Sequence, residues 1–311
     1  MRFRTDLALL ILVTALSLGC RAETESAVDA AGTPPVPLPP PEPVAISEGF
    51  QTPESVVYDM QQDVYYVSNI NGSPLEADGN GFISRIAAGT LEVESKWIDG
   101  ASPDVELDAP KGMAIVGDEL RVADITRVRR FDRRSGAPAG EIPIPGASFL
   151  NDLAAGGEVV YVSDSGLKAG EGGFAPSGTD AIYRIRGTAR PERIASGSEL
   201  NRPNGVEADD GSVRVVTFGA AELFRLENGA KTDVVTLPAG SLDGLVRLDD
   251  GTFLVSSWDA GAIYRGPASG PFEPVVEGLD APADIGFDSK RNLILVPHFN
   301  ENRVTLQPLE P

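Results

Sequence analysis

From Ile46 onward, short apolar runs alternate with polar turns in one pattern that returns six times. Each copy opens with a turn that usually contains proline or glycine, and a short apolar strand follows. A polar turn and a second strand rich in Val, Leu and Tyr come next, and most copies end with a third strand carrying an aromatic residue and an arginine. The six openings are residues 52–56, 109–113, 149–153, 202–206, 241–245 and 281–285. The pattern indicates six copies of one β-sheet unit.

The apolar runs have the composition of short β-strands. Runs of β-branched and aromatic residues separated by Gly, Asp and Asn predict strands and hairpins. The second strands are predicted at residues 64–68, 120–124, 159–164, 213–216, 253–256 and 293–296, and third strands at 81–86, 181–185 and 262–265. A repeat of about 40 to 45 residues with three or four strands is typical of propeller blades, which bury their faces against each other. We therefore predict an all-β fold, a six-bladed β-propeller over residues 46–311. Two separate β-sandwiches are the alternative, but they would not repeat one opening in this way.

Two of the copies carry long insertions, at residues 71–79 and 167–179. Insertions of this kind lie on one rim of a propeller and often cover its central opening. We expect both insertions near the mouth of the channel.

The first 20 residues have the layout of a secretory signal peptide. Two arginines near Met1 precede an apolar run over residues 7–18, which is too short for a comfortable membrane span. Gly19 stands directly before Cys20, which resembles a bacterial lipobox, and Cys20 is the only cysteine of the chain. We expect lipidation at Cys20, with acyl chains that hold the protein on a membrane. The alternative is a plain signal peptide with an incidental cysteine.

Residues 21–45 have the composition of a tether. They are small and polar at first and then dense in proline, which favours an extended, semi-rigid segment. Arg21, rather than Asp, follows the cysteine, and this resembles lipoproteins that are sorted to the outer membrane of a Gram-negative host. We expect an exported, lipid-anchored protein that faces the periplasm.

The charge of the chain restricts its partners. With 46 acidic and 26 basic residues the formal net charge is −20, which argues against nucleic acid and anionic lipid surfaces, since both are polyanions. We expect membrane contact only through the lipid anchor, and a monomer. Without a cysteine beyond residue 20, the predicted propeller has no disulfide, thiol nucleophile or thiolate metal site. Any Ser-His-Asp site would have to use His298, the only histidine.

One position of the six openings is polar in five copies. Innermost strands of a propeller begin at the top of the central channel, so residues at equivalent positions should converge there. Four of these residues offer oxygen donors, two carboxylates and two amides, and this set suits calcium or another hard divalent cation. Turn formation is the alternative explanation, because Asn and Asp are common at turns. The six residues, which we call the column, are Glu54, Lys111, Asn151, Asn204, Asp243 and Ala283.

The openings and their blades resemble the gluconolactonase, senescence-marker-protein and regucalcin-like family of six-bladed propellers. That superfamily also includes paraoxonase and diisopropyl fluorophosphatase. The resemblance covers the chain from about Ile46 onward. Its most specific short motifs are Glu54-Ser55, Pro203-Asn204-Gly205 and Leu242-Asp243-Gly244.

The resemblance implies a calcium ion at the channel mouth. Its ligands would be Glu54 in the first blade, Asn151 and Asn204 in the third and fourth, and Asp243 in the fifth. The family's usual catalytic carboxylate corresponds to Asp243, which makes it the candidate general base or nucleophile. The small-molecule substrate implied is a lactone or another ester.

The sequence also departs from the family. Animal gluconolactonase-type members have an arginine just before the third-blade asparagine that helps to bind the sugar, whereas Phe149-Leu150 precedes Asn151 here. The short motifs that usually follow that asparagine in the family are missing, and Asp152-Leu153-Ala154 follows Asn151 instead. The resemblance therefore does not extend to specificity for sugar lactones.

Several further residues are weaker candidates for contact with substrate. Lys111 could offset negative charge or bind an anionic group, or be a solvated lysine of the rim. Asp152 and Asp284 follow the column and could support the ligands or a second ion. His298 is either structural or near the site, while Trp97 and Trp258 are interpreted as residues that pack the blades.

Two functions are consistent with these residues. The first is a calcium-dependent hydrolase of a lactone or other ester, acting at the top of the channel, and we favour it because the column is complete. The second is a non-catalytic, surface-anchored propeller that binds a partner and holds a structural calcium. A metal-free synthase or lyase-type propeller would not need both carboxylates. A deep pocket above the ion would favour the enzyme. A channel mouth filled by side chains would favour the binding module.

Overall fold

Six antiparallel sheets of four strands each are arranged as the blades of a propeller. The computed structural model describes residues 42–171, 173–209 and 211–310. Lipidation at Cys20 and the tether up to residue 41 lie outside this range and stay predictions. No helix among the described residues is long and apolar enough to cross a membrane. The predicted all-β, six-bladed propeller is confirmed.

The strands follow each other from the channel outward in each blade. Strand β1 is Val44–Ile46, and blade 1 contains β2 (Pro53–Asp59), β3 (Val64–Asn69), β4 (Phe82–Ala87) and β5 (Val93–Asp99). Blade 2 contains β6 (Pro110–Val116), β7 (Glu119–Asp124), β8 (Arg127–Asp132) and β9 (Pro138–Pro143). In blade 3, β10 (Leu150–Gly156) and β11 (Val159–Asp164) precede a separate hairpin, β12 (Leu167–Gly170) and β13 (Gly173–Pro176), and then β14 (Ala181–Arg186) and β15 (Glu192–Ser196).

The second half of the ring repeats this order. A 3-10 turn, Ser198–Leu200, leads into blade 4, which contains β16 (Pro203–Asp209), β17 (Ser212–Thr217), β18 (Glu222–Glu227) and β19 (Ala230–Thr236). Blade 5 contains β20 (Leu242–Arg247), β21 (Thr252–Ser257), β22 (Ala262–Pro267) and β23 (Glu273–Glu277). Blade 6 contains β24 (Gly286–Asp288), β25 (Leu293–His298) and β26 (Arg303–Pro308), and β1 completes it.

Apolar packing joins each blade to the next. The described residues contain six buried apolar clusters, and each one lies between two neighbouring blades. Between blades 6 and 1, for example, Tyr65 and Val67 pack with Leu295 and Val304. Both faces of a blade are thus apolar, so a blade is stable only between two others.

Hydrogen bonds close the ring where the chain ends meet. Strand β1 pairs with β26 in an antiparallel register that places Val44 opposite Leu306 and Ile46 opposite Val304. At the channel, the Asp284 backbone nitrogen donates to the Glu54 carbonyl oxygen at 2.9 Å. The outermost strand of blade 6 therefore comes from the other end of the chain.

Removal of β1 should weaken this closure. A chain that starts at Ser47 loses the β1–β26 ladder and the contact of Ile46 with the apolar cluster between blades 6 and 1. We expect its melting temperature to fall by about 5 °C or more relative to a chain that starts at Glu42, since 1 kcal/mol corresponds to roughly 2–4 °C in a domain of this size. Calorimetry measures the difference, and equal melting temperatures would contradict a closing role for β1.

Candidate metal centre

The inner strands of blades 1 to 5 begin with the same irregularity. A register shift, or β-bulge, interrupts the pairing of the first two strands in each of these blades, and a bulge changes the direction of the side chains within it. The shifts lie at Pro53/Val56, Pro110/Met113, Leu150/Leu153, Pro203/Val206 and Leu242/Leu245. The bulges contain all five polar residues of the column.

In blades 1, 3 and 5, a serine on the second strand accepts a hydrogen bond from the backbone of the bulge. Ser68 Oγ accepts a hydrogen bond from the Ser55 backbone nitrogen at 2.9 Å. Ser163 does the same for Asp152 at 2.9 Å, and Ser256 for Gly244 at 2.8 Å. These hydroxyl groups satisfy backbone donors that the bulge removes from the sheet ladder. The sequence analysis missed these serine hydrogen bonds, although the serines occupy the same place in three repeats.

Glycine beside the column allows neighbouring inner strands to approach closely. A Cβ atom at Gly205 would overlap the backbone oxygen of Asp243, and one at Gly112 would overlap Asp152. These contacts explain why glycine follows the column residue in blades 2 and 4.

The four expected ligands are buried at the starts of their inner strands. Glu54, Asn151, Asn204 and Asp243 are 5 %, 7 %, 3 % and 4 % exposed, respectively. The Asn151 side-chain nitrogen donates to Ser165 Oγ at 3.1 Å, which fixes the orientation of the amide. The structure thus places all four in equivalent, buried positions of the ring.

Two carboxylate oxygens of the column have no hydrogen-bond partner. These atoms are Glu54 Oε2 and Asp243 Oδ1, and both are buried. Burial raises the pKa of Glu54 well above its usual value, and the negative charges of Asp243 and Asp284 raise it further, against the opposing effect of Lys111. Because a buried carboxylate without a donor is costly, a cation would stabilise this pair.

The donor set fits a hard divalent cation. Two carboxylates and two amides supply oxygen atoms, and water can complete the six to eight ligands of calcium. Within the described ranges, no group of three or more His, Cys, Asp and Glu side chains is arranged to hold a metal ion. The proposed set contains only two such side chains, so its fit depends on the amides of Asn151 and Asn204.

Asp243 lies next to a tryptophan that the sequence analysis assigned to blade packing. Burial raises the pKa of Asp243 well above its usual value, Asp284 raises it further, and the nearby Trp258 indole and Asn204 amide lower it. Trp258 Nε1 is buried and has no hydrogen-bond partner of normal geometry. The other tryptophan, Trp97, stacks on Tyr66 with ring centroids 5.0 Å apart, as a packing residue would.

Lys111 is buried, with 1 % exposure, and is not a solvated lysine of the rim. Its Nζ donates to the Ala109 carbonyl oxygen at 3.0 Å and lies 4.6 Å from the centroid of the Phe149 ring. Burial lowers the pKa of Lys111 to about 8, although Glu54 and Asp124 act in the opposite direction. Lys111 therefore brings a partly titratable positive charge close to Glu54.

The contacts of Asp152 and His298 are structural. Asp152 Oδ1 accepts from the Leu153 backbone nitrogen at 2.6 Å, and its Oδ2 accepts from Val206 at 2.7 Å, which joins blades 3 and 4. His298 is 0 % exposed and its Nε2 is 2.9 Å from Thr305 Oγ1. Substrate contact by Asp152 and His298 stays a prediction.

His298 has a second polar neighbour. Its Nδ1 lies 3.1 Å from Glu301 Oε2 without the geometry of a hydrogen bond. Burial lowers the pKa of His298, and Arg303 adds to this while Glu301 opposes it.

A cavity of about 400 Å³ follows the inner strands away from the column. Ser55 and Asp284 line it at one end and Glu207 and Arg247 at the other, whereas the four expected ligands do not line it. Ser55 Oγ donates to Asp284 Oδ2 at 2.5 Å. Burial raises the pKa of Glu207 to about 7, which Arg247 opposes and Asp209 and Asp284 reinforce.

Glu207 should make stability depend on pH in the absence of divalent cations. The folded protein binds its proton more tightly than the unfolded chain, so the free energy of unfolding falls as the pH rises from about 4.5 to 7. Glu207→Gln removes this effect. We expect the variant to be more stable than the wild type at pH 8, by up to about 3 kcal/mol, and equal to it at pH 4.

Urea unfolding in a chelator at both pH values measures this difference. The exposed Glu227 provides a matched control, because Glu227→Gln should change stability equally at pH 4 and pH 8. A Glu207→Gln effect that is the same at both values would contradict the buried titration.

The fold is shared with solved propellers of low sequence identity. A gluconolactonase from Xanthomonas campestris is 16 % identical over 86 % of this chain and 89 % of its own, with a TM-score of 0.65. Virginiamycin B lyase from Staphylococcus aureus is 13 % identical over 86 % of this chain and 99 % of its own, with a TM-score of 0.60. A luciferin-regenerating enzyme is 10 % identical over 86 % of this chain and 96 % of its own, with a TM-score of 0.61.

These comparisons establish the fold alone. The resemblance to gluconolactonase-like propellers is confirmed at the level of the fold, a six-bladed propeller. No family model matches the sequence. No curated protein matches it either.

Proposed function

We propose that this protein is a calcium-dependent hydrolase of a lactone or another ester, with its site at the channel mouth. The observation that carries the proposal is the pair of buried, unpartnered carboxylate oxygens, Glu54 Oε2 and Asp243 Oδ1. Asn151 and Asn204 add amide oxygens to the same set. Another hard divalent cation would suit these donors as well.

The residues of the column have separate roles in this proposal. When bound, the ion supplies Lewis acidity toward a carbonyl oxygen. Glu54, Asn151 and Asn204 would hold it from the bulged starts of their inner strands. Asp243 removes a proton from the attacking water or attacks the carbonyl itself. Lys111 offsets the negative charge of Glu54.

A non-catalytic propeller with a structural calcium is the second candidate. It is supported by the burial of the expected ligands, of which Asn151 is the most exposed at 7 %. The enzyme is supported by the names of the solved propellers, which are a gluconolactonase, a lyase and a luciferin-regenerating enzyme. Turnover distinguishes the two.

Calcium should raise the melting temperature of residues 42–311 relative to a chelator. At a calcium concentration 100 times Kd the gain is about 2.7 kcal/mol, or roughly 5–10 °C. Glu54→Gln removes one charged ligand, so most of this gain should disappear. Calorimetry with and without calcium tests both statements.

Lys111→Met provides a control in which the calcium-dependent gain in melting temperature should change in the opposite direction. It removes a buried positive charge that competes with the ion for Glu54, so the calcium-dependent gain should increase. A wild-type melting temperature that is the same with calcium and with chelator would exclude calcium as the cation.

Asp243→Asn should abolish turnover while it keeps much of the calcium-dependent gain. The amide retains an oxygen ligand but cannot act as a base or nucleophile, so kcat should fall by about 100-fold or more. Hydrolysis of a panel of lactones and aryl esters, followed by proton release, measures the loss. An active Asp243→Asn variant would remove Asp243 from the chemistry.

A further inference from the structure

The channel below the column forms the cavity of about 400 Å³, which is within the size range of small-molecule sites. We call this cavity the lower channel. The residues three places after the column occupy equivalent positions of the six inner strands, and all of them line the lower channel. One is a glutamate, and the others are apolar residues or glycine. In blade order they are Val57, Ala114, Ala154, Glu207, Val246 and Gly286.

Glu207 has no counter-ion in contact with it. Its side chain is partly buried, and no group among the described residues forms a hydrogen bond with its carboxylate. Arg214 lies directly across the sheet from Glu207, but its Nε is 3.0 Å from Asp209 Oδ2. Arg247 Nη1 also pairs with Asp209, at 3.4 Å. The fold therefore places the Glu207 carboxylate in an apolar ring and directs both arginines elsewhere.

A second carboxylate lies at the inner end of the lower channel. Asp284 lines the cavity and is only 8 % exposed. Its Oδ2 accepts a hydrogen bond from Ser55 Oγ, whereas no hydrogen bond reaches its Oδ1 within the part of the chain that the structure describes. Asp152 also lines this end, but both of its oxygens accept backbone hydrogen bonds. Asp284 Oδ1 is thus the free acceptor at the inner end.

The two carboxylates enter the lower channel at different depths and from different sides. Asp284 lies two residues before Gly286, which is level with Glu207, so the two backbones are separated by about 7 Å along the strands. Blade 5 also lies between them. Two oxygen ligands of one calcium ion are at most about 5 Å apart. The arrangement therefore suits two separate positive charges better than one metal ion.

The charges and walls of the lower channel select one class of ligand. Asp249 adds a third carboxylate near Glu207, and Arg247 is the one basic residue among the described residues that line the cavity. The acidic surroundings attract cations, whereas a neutral or anionic ligand would leave Glu207 and Asp284 unpartnered. The apolar ring between them can bury methylene groups. A ligand with a positive charge at each end and an apolar middle satisfies both conditions.

We propose that the lower channel binds a linear aliphatic diamine, in which about four or five methylene groups separate two ammonium groups. One ammonium group donates to Glu207 and the other to Asp284 Oδ1, while the methylene chain packs on the apolar ring. The site lies below the column, and it does not depend on the proposed hydrolase activity.

Isothermal titration calorimetry of the full chain with butane-1,4-diamine at pH 7.5 tests the site. We expect saturable binding of one diamine per chain, with a Kd about ten-fold or more below that of butylamine, because butylamine carries a single ammonium group. Butane-1,4-diol has the same length without charge and should show no binding. Equal affinities for the diamine and for butylamine would overturn a site made of two carboxylates.

Glu207→Gln removes one charge and keeps the size of the side chain. The affinity for butane-1,4-diamine should fall about ten-fold, to that of butylamine. Glu227→Gln makes the same change at an exposed position of blade 4 and should keep the wild-type affinity. Equal losses in the two variants would reduce the binding to a general attraction between a dication and an acidic protein, and would overturn the proposal.

Glu54→Gln distinguishes the lower channel from the column, which also contains free carboxylate oxygens. The titrations are repeated in a chelator, so that no metal ion competes for the column. Diamine binding that persists in Glu54→Gln and weakens in Glu207→Gln supports the lower channel. The reverse pattern would place the diamine in the column and overturn the proposal. Neither result depends on turnover, so a chain without hydrolase activity is tested equally well.

Discussion

The register shift at the start of the inner strand in blades 1 to 5 is the constraint on which the centre of this propeller depends. A regular ladder would alternate side chains between the two faces of a blade, where the apolar clusters lie. The bulge interrupts that alternation for two residues and leaves their backbone donors without partners in the sheet. Serine hydroxyls on the second strands of blades 1, 3 and 5 replace those partners. Polar side chains can then occupy the channel while the blades stay apolar on both faces.

The carboxylates of the column combine burial with incomplete hydrogen bonding, and this combination is what supports the proposed metal site. Asp152 is as buried as Asp243, but both of its oxygens accept backbone hydrogen bonds. Asp243 and Glu54 each keep one oxygen free. A fold that needed these carboxylates only for stability would supply donors for them, because an unpaired buried charge is expensive.

The sequence predicted the six blades and the column because both depend on repetition. The openings share one pattern of turn and polar residues, and the second strands are apolar in every copy, so both are recognised as they recur along the chain. The outermost strands were not predicted: β19, for example, is almost entirely exposed or half-buried, and its residues show no alternation. The position of Trp258 was missed for another reason. Its ring has the sequence context of a packing residue, and only the structure shows its indole group beside Asp243.

The pairing of β1 with β26 brings together residues from the two extremes of the described chain. Such contacts have a high contact order, and the loop that they close costs more entropy than any hairpin within a blade. During synthesis on a ribosome, blades 1 to 5 can form while β1 remains unpaired, because its partner β26 has not yet been synthesised. The last blade can assemble only after the whole polypeptide has emerged, so a nascent chain that stalls early remains an open arc with two unprotected apolar faces.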